Sequence, residues 1–205
     1  MLQGGWAAWL QADYPVEGKA VVSPTAMAAA GEMGVWGSSD APVTVVEFTD
    51  FQCAYCRRHA LRTLPRILET YVGPGQVRYV VKDFPLPSHP NAWKAAEAAR
   101  CAVAQAAYWA IYQQLFETQD NWSQQEPDEA IETFVGDAQE LGLDAAAFRE
   151  CLESGLYSDQ VANDVKEGQQ AGVEGTPTFL INGRLVAGAY PFETFRRIID
   201  TELSK

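Results

Sequence analysis

Residues 42–56, PVTVVEFTDFQCAYC, decide how this chain is read. The run Pro42–Phe48 is β-branched and apolar, too short for a helix and too continuous for a half-exposed strand. It predicts a buried central strand. The pair Cys53 and Cys56 follows, and then a helical pattern to about Tyr71 with the stripe Ala60, Leu64, Ile67, Tyr71 on one face. Beyond the turn Gly73-Pro74-Gly75, Val77–Lys82 predicts a second buried strand.

From Ser88 to about Gly172 the pattern is wholly helical. Asn91–Phe116 carries the stripe Cys101, Ala104, Tyr108, Ile111, Leu115 at three- and four-residue steps. Pro127 reads as the first residue of a helix to about Leu141. Asp144 is placed to N-cap the next helix, with Ala147, Phe148 and Cys151 on one face. A further helix runs from about Ser158 to Ala171. Strands return at Thr178–Ile181 and Leu185–Ala187, around Asn182-Gly183, a dipeptide that favours a type I′ hairpin turn. Phe192, Phe195, Ile198 and Ile199 mark a last amphipathic helix. The expected fold class is α/β: a mixed central sheet with flanking helices, interrupted by an inserted all-helical domain. The expected divisions are an irregular lead over 1–40, a first sheet part over 41–87, the helical insertion over 88–172 and a second sheet part over 173–205.

A thiolate, not a thiol, is the nucleophile of disulfide exchange, so a CxxC site must lower one thiol pKa. A helix N-terminus does so through unpaired N–H groups and the positive end of the helix dipole. Cys53 falls at that position, and Cys56 lies one turn inward above the apolar stripe. The reading is an outer attacking Cys53 and a buried resolving Cys56. A zinc half-site is the competing reading, but a closed site needs four ligands. The chain has only His59 and His89 as histidines, and no fourth ligand presents itself beside Cys53, Cys56 and His59. An inert structural disulfide is the remaining alternative. No metal and no cofactor is called for.

The segments EFTDFQCAYC (47–56) and GTPTF (175–179), with the strand order around them, resemble the DsbA-like branch of the thioredoxin superfamily. KDFPLPSHPNAWKAAEAARCA (82–102), with a distant further cysteine, is similar to its bacterial subgroup with a helical insertion and a second disulfide. The resemblance runs from about Val35 to the C-terminus. It implies a thioredoxin fold, thiol–disulfide exchange, Cys53 as nucleophile, Cys56 as resolving thiol and Pro177 as a cis-proline facing them. It also implies that the backbone of Thr176 lines a substrate groove, and that Glu47 is a buried acid under the disulfide. Mid-strand acids are seldom buried without a partner or a purpose. Glu47 is therefore expected to manage the proton of Cys56, or else to pair structurally with Lys82. His89, in a proline-rich turn, reads as loop or capping structure; His59 is assigned no role.

Cys101 and Cys151 lie on apolar faces of separate predicted helices. Four cysteines allow three pairings. Local spacing pairs Cys53 with Cys56, leaving a Cys101–Cys151 bridge or two buried free thiols; the resemblance favours the bridge. Such a bridge implies an oxidising compartment. The expected location is therefore extracytoplasmic, the periplasm or cell envelope, with an export or anchor segment absent from this sequence. A formal net charge of −12 argues against nucleic acid as a partner. Expected partners are reduced or misoxidised proteins and, through the resemblance, a membrane redox partner of the DsbB or VKOR type.

The direction of exchange is set by Ala54-Tyr55, which supplies no cation and so implies a Cys53 pKa less depressed than about 3.5, the value of a strongly oxidising member. Thr176 before Pro177 resembles some isomerases. Disulfide formation is the first reading. An isomerase or reductase is the second, and a non-catalytic peptide-binding or metal-handling module the third.

Overall fold

The computed structural model describes residues 34–205; most of the N-terminal lead, including Trp6, Trp9 and the alanine-rich patch at 26–30, lies outside them. Strands β1 (Val35–Trp36), β2 (Val43–Thr49), β3 (Val77–Asp83), β4 (Thr178–Ile181) and β5 (Arg184–Ala187) form one sheet. Its order is β1-β3-β2-β4-β5. β2 runs parallel to β3 and antiparallel to β4, while β1 and β5 pair antiparallel to β3 and β4 at the edges. The sheet is mixed, with β2 at its centre. Every residue of β3 is buried, as is every residue of β2 except Thr44. A strand covered on both faces needs such a continuous apolar run rather than alternation.

After β2 the chain turns into a helical rod made of α1 (Ala54–Arg58), a π-helical turn (His59–Thr63), α2 (Leu64–Ile67) and a second π-helical stretch (Leu68–Val72). Ala60, Leu64, Ile67 and Tyr71 are all buried, so the stripe faces the sheet. Between β3 and β4 lies the helical insertion: α3 (Ala92–Cys101), α4 (Tyr108–Glu117), α5 (Gln119–Trp122), α6 (Pro127–Glu140), α7 (Ala145–Ser154) and α8 (Ser158–Ala171). The segment 91–116 is not one helix. It breaks at a 3₁₀ turn, Ala102–Gln105, and Ala106 takes a left-handed φ of 55°. Ala104 is consequently exposed, while Cys101, Tyr108, Ile111 and Leu115 stay in the core.

Asp144 caps α7 by accepting the amides of Ala146 and Ala147 at 3.0 Å. Phe148 and Leu152 are the buried residues of that helix; Ala147, expected beside them, faces solvent. Cys101 on α3 and Cys151 on α7 are joined by a disulfide. The hairpin turns at Asn182 (φ 46°) and Gly183 (φ 85°), as the left-handed pair of a type I′ turn requires. Helix α9 (Phe192–Leu203) packs Phe192, Phe195, Ile198 and Ile199 into the core. Helix α8 lies close on the opposite sheet face because Gly168 has no side chain: a Cβ there would stand 2.7 Å from the Phe84 ring.

Candidate active site

Cys53 is the N-cap residue of α1, with extended backbone (φ −77°, ψ 121°). Its amide donates to the carbonyl of Asp50 and its own carbonyl accepts the amide of Arg57. The thiol lies against the β4 approach, 3.5 Å from the carbonyl oxygen of Thr176, to which it donates. The Thr176–Pro177 bond is cis. Cys56, one turn on, is fully buried, and its sulfur accepts the Asp50 amide at 3.4 Å. The Cys53 thiol is pulled down to about 6. The Cys56 thiol does most of this by hydrogen-bonding to the Cys53 sulfur, and the Cys56 amide adds to it against the opposing effect of burial. Burial, and then the Cys53 thiolate itself, push Cys56 well above the ordinary thiol range. The pair is thus strongly asymmetric, one sulfur ionised and the other protonated near neutrality.

Ala54 and Tyr55 between the cysteines are exposed, Tyr55 to 60%. The dipeptide itself carries no cation, but the Arg58 guanidinium sits over the Tyr55 ring, 5.0 Å from its centroid. The helical insertion grips the loop ahead of Cys53. Gln119 donates to the carbonyls of Phe51 (2.6 Å) and Cys53 (3.3 Å). The Gln52 side chain donates to Ser123 O and accepts from the Asn91 amide. Asp50 accepts the amides of Gln52 and Leu86, and its Oδ2 lies 2.8 Å from His89 Nδ1. His89 is a loop residue, and its contact braces the segment from which Cys53 projects.

Glu47 is fully buried on the β2 face beneath Cys56, close enough for its charge to raise the Cys56 pKa further. Lys82 is not its partner. In the parallel register Glu47 stands opposite Val81 and Phe48 opposite Lys82, so Glu47 and Lys82 point to opposite sheet faces. Lys82 instead binds Asp164 at 2.9 Å and Glu167 at 3.2 Å on α8. The partner of Glu47 is Tyr79, two residues earlier on β3 than Val81, whose hydroxyl donates to Oε2 at 2.7 Å. That hydroxyl also lies 2.9 Å from Nε2 of His59, which is fully buried. Burial lifts Glu47 to about 7, with hydrogen bonds from the Tyr79 and Thr49 hydroxyls pulling the other way. The same burial lowers His59 to about 3, so its ring is neutral. His59 escaped the sequence reading because its position three residues after Cys56 does not say which way the ring points.

No group of three or more His, Cys, Asp or Glu side chains is placed to hold a metal ion among the described residues. A cysteine at a helix N-terminus, opposed by a cis-proline loop that leads into an inner strand of a mixed sheet, is the arrangement of a thioredoxin-fold protein. The chain belongs to the thioredoxin family, whose model, described as Thioredoxin, matches residues 30–201. A curated relative is the probable disulfide bond formation protein D of Bacillus anthracis, 30% identical over 171 residues, 82% of this chain and 77% of that protein. The Na(+)/H(+) antiporter NhaA 3 of Salinispora tropica is 39% identical over 160 residues, 78% of this chain. The chain spans only 23% of that antiporter's length. Among the described residues no helix is long and apolar enough to cross a membrane. The crystal structure of Wolbachia pipientis alpha-DsbA1 shares the fold, with a TM-score of 0.79 at 22% identity over 89% of this chain and 96% of that one.

Proposed function

We propose that this protein is a protein disulfide oxidoreductase that forms disulfides in exported proteins through a Cys53 mixed disulfide resolved by Cys56. The observation that carries this reading is the asymmetry of the pair: Cys53 at the helix N-terminus titrates at about 6, while Cys56 is buried and held protonated. A stabilised thiolate is a good leaving group, so a disulfide through Cys53 is passed on readily to a substrate thiol. Thr176 and Pro177 line the groove on which an extended substrate chain lies, Ala54 and Tyr55 form its exposed rim, and Glu47 takes the Cys56 proton.

The relative from Bacillus anthracis, named for disulfide bond formation, supports the direction of exchange. The Cys101–Cys151 disulfide supports an extracytoplasmic location, where such bonds persist. Reoxidation then falls to a membrane partner of the DsbB or VKOR type. Oxidised protein mixed with a reduced, unfolded substrate should transfer its disulfide. Cys53→Ala should abolish transfer, and Cys56→Ala should accumulate the mixed disulfide. Equilibration with glutathione reads the direction: a couple near about −120 mV supports the oxidase, and one near about −270 mV makes the protein a reductase. Transfer by Cys53→Ala at the normal rate would leave only a non-catalytic binding module.

A further inference from the structure

The helical rod that begins at Cys53 differs in charge from the chain as a whole. Residues 51–68 hold four arginines, Arg57, Arg58, Arg62 and Arg66, and no acid, whereas the whole chain has 27 acidic residues and a net charge of −12. Exposed acids gather on the insertion instead, among them Asp128, Glu129 and Glu132 of α6 and Glu150 and Glu153 of α7. Along the rod Tyr55, Arg58, Arg62 and Arg66 follow one another at three- and four-residue steps, and all are exposed. Arg57 is paired with Asp120 at 2.8 Å, and Arg66 meets Glu193 at 3.3 Å. Neither Arg58 nor Arg62 has a carboxylate partner among the described residues.

Arg58 is the cation that reaches the site, and its guanidinium is held twice. It lies 5.0 Å from the centroid of the Tyr55 ring, within the CxxC turn, and its Nη2 donates to the Ala189 carbonyl at 3.0 Å. Ala189 belongs to the loop after β5. In that loop the Gly188 amide donates to Pro177 O at 2.8 Å, and Tyr190 O accepts the Thr63 hydroxyl at 3.4 Å. One exposed cation therefore joins the CxxC turn to the loop that backs the cis-proline. A guanidinium carries five N–H donors in a planar fork. Among the described residues Arg58 uses a single one of its nitrogens. The rest of the fork is free for a carboxylate, which it binds through two parallel hydrogen bonds. Holding the group in place beforehand lowers the entropic cost of that contact.

We propose that Arg58 is a specificity-determining residue that selects protein substrates carrying a carboxylate close in sequence to the reacting cysteine, with Arg62 extending the cationic strip along the rod. The proposal rests on the exchange reaction above and names the class of substrate its groove prefers. Two fields act on an acidic chain as it approaches. The net charge of −12 repels it, but at physiological salt exposed charges further apart than about 8 Å are largely screened. Arg58, stacked on Tyr55 in the CxxC turn, acts at contact distance, so the local attraction decides.

The test uses the reduced protein and three peptides whose central cysteine is blocked as a pyridyl disulfide and flanked on both sides by Glu, Gln or Lys. The Cys53 thiolate attacks the peptide sulfur. The bond from Cys53 to the peptide forms, the bond from the peptide to the pyridyl sulfur breaks, and thiopyridone leaves with the electron pair and is followed by its absorbance. Each rate is divided by that of mercaptoethanol with the same peptide, which removes the intrinsic reactivity of the disulfide. At about 0.15 M salt the Glu peptide should react about fivefold faster than the Gln peptide, the upper range of an exposed ion pair, and the Lys peptide slower than both. Arg58→Gln should bring the ratio of Glu to Gln close to one, and Arg58→Glu should reverse the order of the three peptides. At about 1 M salt, where the Debye length falls to about 3 Å, the preference should collapse. A ratio of one in the natural protein, or a preference for Glu that survives Arg58→Glu, would overturn the proposal and leave the exchange reaction standing. Equal rates for the three peptides, with Arg58-dependent binding to phosphatidylglycerol vesicles, would also overturn it and give the strip to a lipid surface. Thiopyridone release at the same rate from Cys53→Ala as from the natural protein would remove the exchange reaction and the proposal together.

Discussion

Strands β2 and β3 carry buried charge on both faces, and the two faces treat it differently. On the side of α8, Lys82 and Arg100 meet Asp83, Asp164 and Glu167. Arg100 binds Asp83 at 2.5 Å and also contacts Asp164, while Gln160 accepts from its remaining nitrogen. Burial lifts Asp83 to about 6, with Arg100 pulling against it. On the side of α1, Glu47 has a hydroxyl where Asp164 has cations, and it titrates at about 7. Charge balanced by opposite charge fastens the insertion to the sheet. A carboxylate left without a cation beneath a thiol is poised to exchange a proton near neutral pH. Burial is common to both faces; among the described residues, what separates them is the ion pairs of Asp164 and the hydroxyl partner of Glu47.

Breaking the balanced face should cost most. Arg100→Met leaves Asp83 and Asp164 with only Lys82 between them, and uncompensated buried charge of this kind is worth about 3–5 kcal/mol. Urea unfolding at pH 7 should register that loss, while the Cys53 alkylation rate of the folded protein stays unchanged. A cost below about 1 kcal/mol would mean that the cluster does not hold the insertion.

Relieving the unbalanced face should do the opposite. The folded-state pKa of Glu47 is raised, so between its ordinary 4.5 and about 7 the native chain holds a proton that the unfolded chain has released. Stability therefore falls as pH rises through that window. Glu47→Gln should flatten the fall and leave the protein about 1–3 kcal/mol more stable at pH 8, the weakened Tyr79 bond offsetting part of the gain. Thermal unfolding across pH 4–8 checks both sign and window.

The smallest effect is expected for Lys82→Met. Asp164 keeps Arg100, and Glu167, whose side chain is 29% exposed, can turn to water. About 1–2 kcal/mol should be lost, in the range of a buried acceptor deprived of one partner. A cost equal to that of Arg100→Met would mean that the two cations act as one unit.

How much of this was legible follows from the range of the signal. The strands and the cysteine pair stood out because continuous apolar runs and a helix N-terminus are local patterns. The Asp144 cap and the Asn182-Gly183 turn were legible for the same reason. The break at Ala102–Gln105 was not, since alanine is compatible with helix and nothing in the local residues marks the turn at which Ala106 takes its left-handed φ. The alternative of a Glu47–Lys82 pair could not be dismissed from the sequence, because facing depends on strand register, which a single strand does not encode. Tyr79 and His59 were missed together: each is an ordinary core-forming residue until the fold joins the Tyr79 hydroxyl to the Glu47 carboxylate and to the His59 ring.

The place of β4 in the sheet bears on how the protein is made. Synthesis runs from the N-terminus, so both reactive cysteines emerge long before Thr176, which lies 123 residues beyond Cys53 yet meets its sulfur. Gln119, which grips the Cys53 carbonyl, is 66 residues away. A nascent chain therefore carries its two thiols through the ribosome exit and beyond without the Thr176 contact and the Gln119 grip that surround them in the folded protein. The full setting of Cys53 is complete only when β4 is in place, and a chain released earlier presents its two thiols without it.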